Sequence, residues 1–335
     1  MRIAHYIPSI VPARGYGGSE RVAYWMAEEQ AAAGHPLTMI SHEGSQIPFG
    51  DWIAMPQSAD EWKRALERSQ AEIVHFHSLI PHSFPLDFPH LLTVHGNGKV
   101  GEVFSRNAVF VSRDHASRHA SDCFVYNGIR LASYPLRRTG ATSREALFLA
   151  KASWRVKNLR GAISISKQAG RKLLVAGGRR PLTPWGITAT HARFFGTVDD
   201  PAKIALLHRS EALLFPVLWN EPFGIAVIEA LACGIPVIAS AFGSLPEILS
   251  PDCGIASLST CEMVDFLQER ARHISPENCR ARVETHFSSK RMAESYLDLY
   301  ARVKKNGFLN ASNPRTLPVS SECILDRKTE TSSSR

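Results

Sequence analysis

Apolar residues fall into two kinds of segment that alternate along most of this 335-residue chain. Short dense runs of three to five apolar or β-branched residues are separated by longer stretches whose apolar positions recur with helical spacing. The run at 3–7 (Ile-Ala-His-Tyr-Ile) predicts a first strand. A turn with glycines at Gly15, Gly17 and Gly18 follows, then a helix over 19–33 with Ser19 as its N-cap and Gly34 as its stop. Further strands are expected at 37–40, 73–76, 91–94, 109–111 and 124–126, with a helix over 59–69. Fully apolar strands alternating with amphipathic helices indicate a parallel sheet covered on both faces.

Residues 131–143, with Pro135, Gly140 and a cluster of Arg, Thr and Ser, read as a linker. A second series then begins. Strands are expected at 147–150, 173–176, 193–195, 212–215 and 237–239, with helices over 158–168, 201–208 and 225–233. Each series has about the length of one doubly wound α/β domain. A last helix over 289–304 carries Met292, Tyr296, Leu299 and Val303 on one face. From about 310 onward the composition turns to Ser, Thr, Pro and Arg, which predicts a disordered tail.

Composition narrows the function classes. The net charge of +8 suits nucleic acid, an anionic membrane surface or an anionic substrate, or simply an ordinary solvated basic surface, which is the default reading. No run of basic residues interleaved with aromatics occurs, so nucleic acid is not expected. The six cysteines form no CxxC pair and no histidine cluster has zinc spacing, which argues against a metal knuckle or a disulfide framework. Pro8 and Pro12 interrupt any signal-peptide core, and Glu229 and Pro236 interrupt the apolar stretch 224–243, which reads as a buried helix–turn–strand. A cytoplasmic protein is the expectation.

Four places carry candidate chemistry. Glycines at Gly17 and Gly18, between the first strand and helix, let backbone N–H groups approach a phosphate; a plain tight turn explains them equally well. Lys151, Arg155 and Lys157 follow a strand of the second series, where doubly wound domains place ligands. Two ammonium groups there could neutralise a diphosphate, or simply be solvated. The segment 220–230 (Asn-Glu-Pro-Phe-Gly-Ile-Ala-Val-Ile-Glu-Ala) puts Glu221 on a loop and Glu229 in an otherwise apolar helix. A carboxylate there is costly unless donors meet it; ribose hydroxyls or the protein's own groups could serve. His95 follows a strand and precedes Gly96, so it could face a cleft or be structural.

The run through Phe195-Gly196, Leu214-Phe215-Pro216, Asn220-Glu221-Pro222-Phe223-Gly224, Glu229-Ala230 and 234–239 resembles the donor domain of family-4 glycosyltransferases, retaining enzymes with a GT-B fold. The spacing of Glu221 and Glu229 matches that family's Glu-x7-Glu signature, and the Gly-Gly turn, the His95 segment, 126–129 and 157–159 occur in the same order. The likeness runs over about residues 1–300. It implies two facing Rossmann-like domains with a cleft between them. Residues 1–135, with the returning helix at about 289–306, would form the acceptor side; 136–288 would form the nucleotide-sugar domain; 310–335 would be the tail.

The resemblance also implies roles. Gly17 and Gly18 would approach the donor phosphates, and Lys151 and Lys157 the diphosphate. His95 would lie beside the transferred sugar, Glu221 would touch its hydroxyls with the Phe223 and Gly224 amides nearby, and Glu229 would hold the ribose. The family has Gly-Arg where this chain has Ala150-Lys151, so a point charge replaces a fork at that position. No Asp-x-Asp motif occurs; Asp199-Asp200 reads as a helix start. The implied activity is metal-independent, retaining transfer of a hexose from a UDP-sugar or GDP-mannose to a glycan or lipid-linked acceptor. Cell-surface polysaccharide or glycoconjugate synthesis, with peripheral contact at an anionic membrane face, would suit it. A sugar-nucleotide epimerase of the same fold and an inactive sugar-nucleotide-binding protein are the alternatives.

Overall fold

The computed structural model describes residues 1–13, 17–137 and 143–318. Gly15 of the first turn, most of the linker's second half and residues 319–335 of the expected tail lie outside the described residues.

Two six-stranded parallel sheets organise the chain. The first comprises β1 (Ile3–Ile7), β2 (Leu37–Ser41), β3 (Asp51–Ala54), β4 (Ile73–Phe76), β5 (His90–Val94) and β6 (Ala108–Phe110), in the order β3-β2-β1-β4-β5-β6. The second comprises β7 (Glu145–Leu149), β8 (Lys172–Ala176), β9 (Ala192–Phe194), β10 (Ala212–Phe215), β11 (Val237–Ser240) and β12 (Gly254–Ser257), in the order β12-β11-β10-β7-β8-β9. The two orders are the same doubly wound topology read from opposite ends. Each reverses direction once, between β1 and β4 and between β7 and β10. Ligands of such sheets bind beyond the carboxyl ends of the strands at that reversal.

The helices are α1 (Gly18–Ala32), α2 (Ala59–Ser69), α3 (Arg113–Ser117), α4 (Leu159–Gln168), α5 (Pro184–Ile187), α6 (Asp200–Arg209), α7 (Ile225–Ala232), α8 (Leu245–Ile248), α9 (Thr260–Asp265), α10 (Pro276–His286) and α11 (Ser289–Asn306). Side-chain caps start many of them: Ser58 accepts from the Glu61 amide, Asn158 from Gly161, Asp199 from Ala202 and Ser288 from Arg291. The start of α1 differs from the sequence expectation. Gly17 takes the N-cap position, and Ser19 sits in the first turn, where its hydroxyl donates to Glu20 instead of capping.

Three further features depart from the sequence reading. Residues 124–126 form no strand; they touch the sheet through one parallel bridge between Phe110 and Phe124. The edge strands β3 and β12 carry too few consecutive apolar residues to announce themselves. Residues 307–318 stay with the first domain. Asn310 donates to the Arg106 and Ala108 carbonyls, Leu309 N–H donates to the Asn107 side chain, and Val103 bridges Arg315.

Burial on both sheet faces explains the dense apolar runs. One face of the first sheet packs on Trp62, Phe84 and Phe104. The other packs on α1 and α11, where Met26, Met292, Tyr296, Leu299 and Val303 meet Ile3, Ile7 and Ile73. The last helix of the chain thus belongs to the first domain's core. The crossing back is pinned at Ile129, whose N–H donates to the Phe287 carbonyl and whose carbonyl accepts from Ser289. Met292 lies in this seam, 2% exposed. Met292→Ala is expected to lower unfolding stability by about 2–5 kcal/mol, read from the midpoint and slope of urea denaturation; no change in midpoint would mean that α11 does not hold the first domain together.

Candidate functional site

The loops at the two sheet reversals face each other. Gly17 and Gly18 follow β1, and the segment 77–78 follows β4; the loop 150–158 follows β7, and 216–224 follows β10. Several contacts tie the two sides. The Asn97 side-chain amide donates to the Asn220 carbonyl at 2.8 Å, and the Ser112 hydroxyl donates to the Pro222 carbonyl at 2.8 Å. Glu247 accepts from the Arg113 and Asp114 amides at the start of α3 and from the Tyr126 hydroxyl at 2.8 Å. Burial and the neighbouring Glu247 push the Tyr126 phenol up to about 12. An added Cβ at Gly18 would lie 3.0 Å from Ile225 Cδ1, so a glycine lets the start of α1 approach the start of α7 closely.

Lys157 and Glu221 meet at the second reversal. Lys157 Nζ donates to Glu221 Oε2 at 2.7 Å and to Oε1 at 3.0 Å. Trp219 Nε1 donates to Oε2 at 2.6 Å. The ammonium also lies 5.1 Å from the centroids of both the Phe215 and Trp219 rings. Both charged side chains are nearly enclosed, at 13% and 8% exposure. The left-handed backbone of Gly224, at φ 89°, turns the chain into α7 and leaves the Phe223 and Gly224 amides beside the Glu221 loop. Gly243 packs so closely on that loop that a Cβ would come within 2.3 Å of the Glu221 carbonyl oxygen.

Glu229, on α7, is met by the protein itself. The Tyr134 hydroxyl donates to Oε1 at 2.5 Å and Lys203 Nζ donates to the same oxygen at 2.6 Å. Lys203 also pairs with Asp200 at 3.1 Å, and Asp200 pairs with Arg21 of α1 at 2.5 Å. Oε2 accepts no hydrogen bond among the described residues. Burial and the Glu229 carboxylate raise the Tyr134 phenol far above its usual range, so it stays a donor.

Lys151 stands apart from this group. It is exposed, and its Nζ lies 5.0 Å from the centroid of the Trp154 ring. His95 is half-buried two residues before Asn97, with Nε2 3.2 Å from His77 Nδ1. Among the groups that sequence reasoning did not single out, Lys203, Tyr134, Arg21 and Trp219 gave no local signal. His75 and His77 did, since alternation in Ile-Val-His-Phe-His turns His75 of β4 and His77 just beyond its end to the same side, where their rings stack.

His5, His75 and His77 bring ring nitrogens within 4.8 Å of one another. All six nitrogens already have hydrogen-bond partners within the protein, so no lone pair is free for a metal ion. Burial lowers His5 and His95 to about 4 and holds His75 and His77 well below the usual imidazole value. All four rings are neutral at neutral pH.

Two family models match the chain. "Glycosyltransferase Family 4" matches residues 16–128 and "Glycosyl transferases group 1" matches 186–256. A phosphatidyl-myo-inositol mannosyltransferase of Propionibacterium freudenreichii is 32% identical over 143 residues, 39% of this chain and 36% of that protein. The matched segments span between about a sixth and a half of the curated relatives' length. Among solved structures, AviGT4, a glycosyltransferase involved in avilamycin A biosynthesis, superposes with a TM-score of 0.73 at 22% identity, covering 90% of this chain and 97% of that one. The Anabaena protein HepE, solved with UDP and glucose, gives 0.64 at 13% identity, covering 90% and 99%. At these identities the structural likeness is one of fold: two Rossmann-like domains in the GT-B arrangement.

Two outcomes follow from the site's geometry. Lys157→Ala strands a buried carboxylate with one indole donor, so it is expected to cost about 3–5 kcal/mol of stability. In a double-mutant cycle with Glu221→Ala the two losses should not add; additive losses in chemical denaturation would contradict a coupled pair. Separately, the histidines bind fewer protons folded than unfolded between their depressed values of about 4 and the usual 6.5. Stability therefore holds above pH 6.5 and falls as pH drops through that window, by up to about 1.4 kcal/mol per pH unit for each histidine. Urea midpoints measured from pH 7 to pH 4 check this, and a flat profile would contradict it.

Proposed function

We propose that this chain, which belongs to the family-4, group 1 glycosyltransferases, transfers a hexose from a nucleoside diphosphate sugar to a glycan or lipid-linked acceptor with retention at the anomeric carbon. The observation that carries this reading is the buried Lys157–Glu221 pair at the reversal of the second sheet, with Gly18 at the start of α1 close against Ile225 at the start of α7.

Departure of a nucleoside diphosphate builds negative charge on oxygen, and preorganised donors in a dry site stabilise that charge best. Lys157 supplies a cation already held in place by Glu221, Trp219 and Phe215. The amides at the start of α1 and α7 add donors with positive helix-end potential. With a donor bound, Lys157 would share its charge with the diphosphate. Glu221 would then turn its lone pairs to the sugar hydroxyls, and Glu229 Oε2 would accept from the ribose. His95 would lie on the sugar's other side. Lys151, exposed beside Trp154, would serve as a mobile outer cation for the phosphates. These cations and helix ends make a divalent metal unnecessary. The UDP and glucose of HepE favour a UDP-sugar, and the mannosyltransferase relative favours GDP-mannose, so both belong in the assay.

We place this activity in the cytoplasm. The net charge of +8 suits contact with an anionic membrane face that presents a lipid-linked acceptor. No described helix is long and apolar enough to cross a membrane.

The test is turnover of UDP-glucose, UDP-galactose, UDP-N-acetylglucosamine and GDP-mannose with glycan and lipid-linked acceptors, followed by product mass and anomeric NMR. Retained configuration and full activity in chelator are expected. An inverted centre, epimerised donor without transfer, or activity restored only by added metal would overturn the reading. Lys157→Ala should lower turnover by roughly 10²–10³, measured at a temperature where the variant is folded.

A further inference from the structure

Buried hydrogen bonds in the first domain form one unbroken chain from the cleft to the last helix. His95 Nε2 meets His77 Nδ1 at 3.2 Å, and His77 Nε2 meets His5 Nδ1 at 3.0 Å. His5 Nε2 meets Gln30 Oε1 at 2.8 Å, and Gln30 Nε2 donates to the Tyr300 hydroxyl at 3.2 Å. The Tyr300 hydroxyl meets His75 Nδ1 at 2.6 Å, His75 Nε2 meets Thr93 Oγ1 at 2.6 Å, and Thr93 donates to Tyr296 at 2.8 Å. Strand register assembles it, since His5 of β1 sits directly beside His75 of β4.

A neutral imidazole has one donor and one acceptor nitrogen, so each contact dictates the next. The Gln30 amide oxygen can only accept, so His5 carries its proton on Nε2. His5 Nδ1 must then accept, which puts the His77 proton on Nε2. His77 Nδ1 accepts in turn, which puts the His95 proton on Nε2 as well. In the other direction the Gln30 amide donates to Tyr300, whose hydroxyl donates to His75, which donates to Thr93. Each link of the chain joins one donor to one acceptor. Reversing the Gln30 amide would reverse the whole chain and move the His95 proton to Nδ1. His95 Nδ1 has no other partner among the described residues.

We propose that Gln30, through His5 and His77, fixes His95 as the Nε2–H tautomer, so that its free Nδ1 is an obligate hydrogen-bond acceptor facing a hydroxyl of the donor sugar. Gln30, His5 and His77 are positioning residues, and the Tyr300 hydroxyl of α11 accepts from the Gln30 amide on its other side. The part that concerns the sugar rests on the glycosyl-transfer reading above; the tautomer itself does not.

The two parts are tested separately. In full-length protein with ring-labelled histidine, nitrogen NMR at neutral pH should show His95, His77 and His5 all as Nε2–H tautomers, with His95 assigned by difference from His95→Gln. Gln30→Met keeps the side-chain length but removes the oxygen, and His77→Phe keeps the stacked ring but removes the relay. Either should turn His95 into a tautomer mixture. With whichever of UDP-glucose, UDP-galactose or GDP-mannose the wild type turns over, either variant should lower kcat about tenfold and leave donor KM within about twofold. An Nδ1–H His95 in the wild type, or a single unchanged tautomer in the folded variants, would overturn the relay whatever the activity. A tautomer shift without a kcat effect would confine the relay to structure and overturn its role at the sugar. A wild type inactive on all donors would count against the glycosyl-transfer reading, while the NMR arm still decides the relay.

Discussion

A carboxylate taken out of water must be met by donors or a cation, and the cleft of this protein is organised around three such meetings. Glu221 is met by Lys157 and Trp219, Glu229 by Lys203 and Tyr134, and Glu247 by two amides of α3 and Tyr126. Each meeting sets geometry as well as energy. Glu221 holds a lysine at the sheet reversal. Glu229 gathers α6, α7 and the Tyr134 crossing around one oxygen. Glu247 binds the second domain to the start of a helix in the first. A buried pair of this kind adds little net stability over an apolar contact, but it is costly to break and specific in orientation. Those properties suit a site that must hold charge in place before a charged ligand arrives.

The repeated sheet order explains why these residues converge. Two doubly wound sheets each offer one reversal point where the loops splay apart, and facing them across a cleft places one set of loops opposite the other. The first domain contributes the Gly17–Gly18 turn, His95 and the Asn97 contact; the second contributes the cationic loop after β7 and the Glu221 loop after β10. The chain then returns through Ile129 and Phe287 to finish its first domain with α11. That return does more than complete a core. On α11, Tyr300 links Gln30 to His75 and Tyr296 ends the histidine network that begins at His95, so the final helix backs that network.

Three histidines stacked in a core would ordinarily invite a metal. Here the polar demand of every ring nitrogen is met by another side chain, and burial keeps the rings neutral. A satisfied polar network in a low-dielectric interior is rigid because any single change leaves a neighbour unpaired. The arrangement reads as a scaffold for His95 rather than a second reaction centre.

The amino-acid sequence by itself determined the order of the elements, the two-domain repeat and the positions of the long buried strands, because burial on both faces writes a dense apolar run at each of them. It also set Glu221, Gly224 and Glu229 at a fixed spacing along one loop and helix, while Lys157 entered the same reading only through the family resemblance. It did not determine the edge strands β3 and β12, where one face or one end is open to water and the apolar signal thins. The fate of 307–318 was likewise hidden, since side-chain amides and backbone bonds hold that segment, and neither has a periodicity. What only the tertiary structure decided is partnership. Lys203 lies 26 residues from Glu229, Lys157 lies 64 from Glu221, and Tyr300 lies 225 from His75. Periodicity records that a position is buried. Which charge or hydroxyl meets it depends on register between strands and on how two sheets face each other, and those are properties of the folded chain.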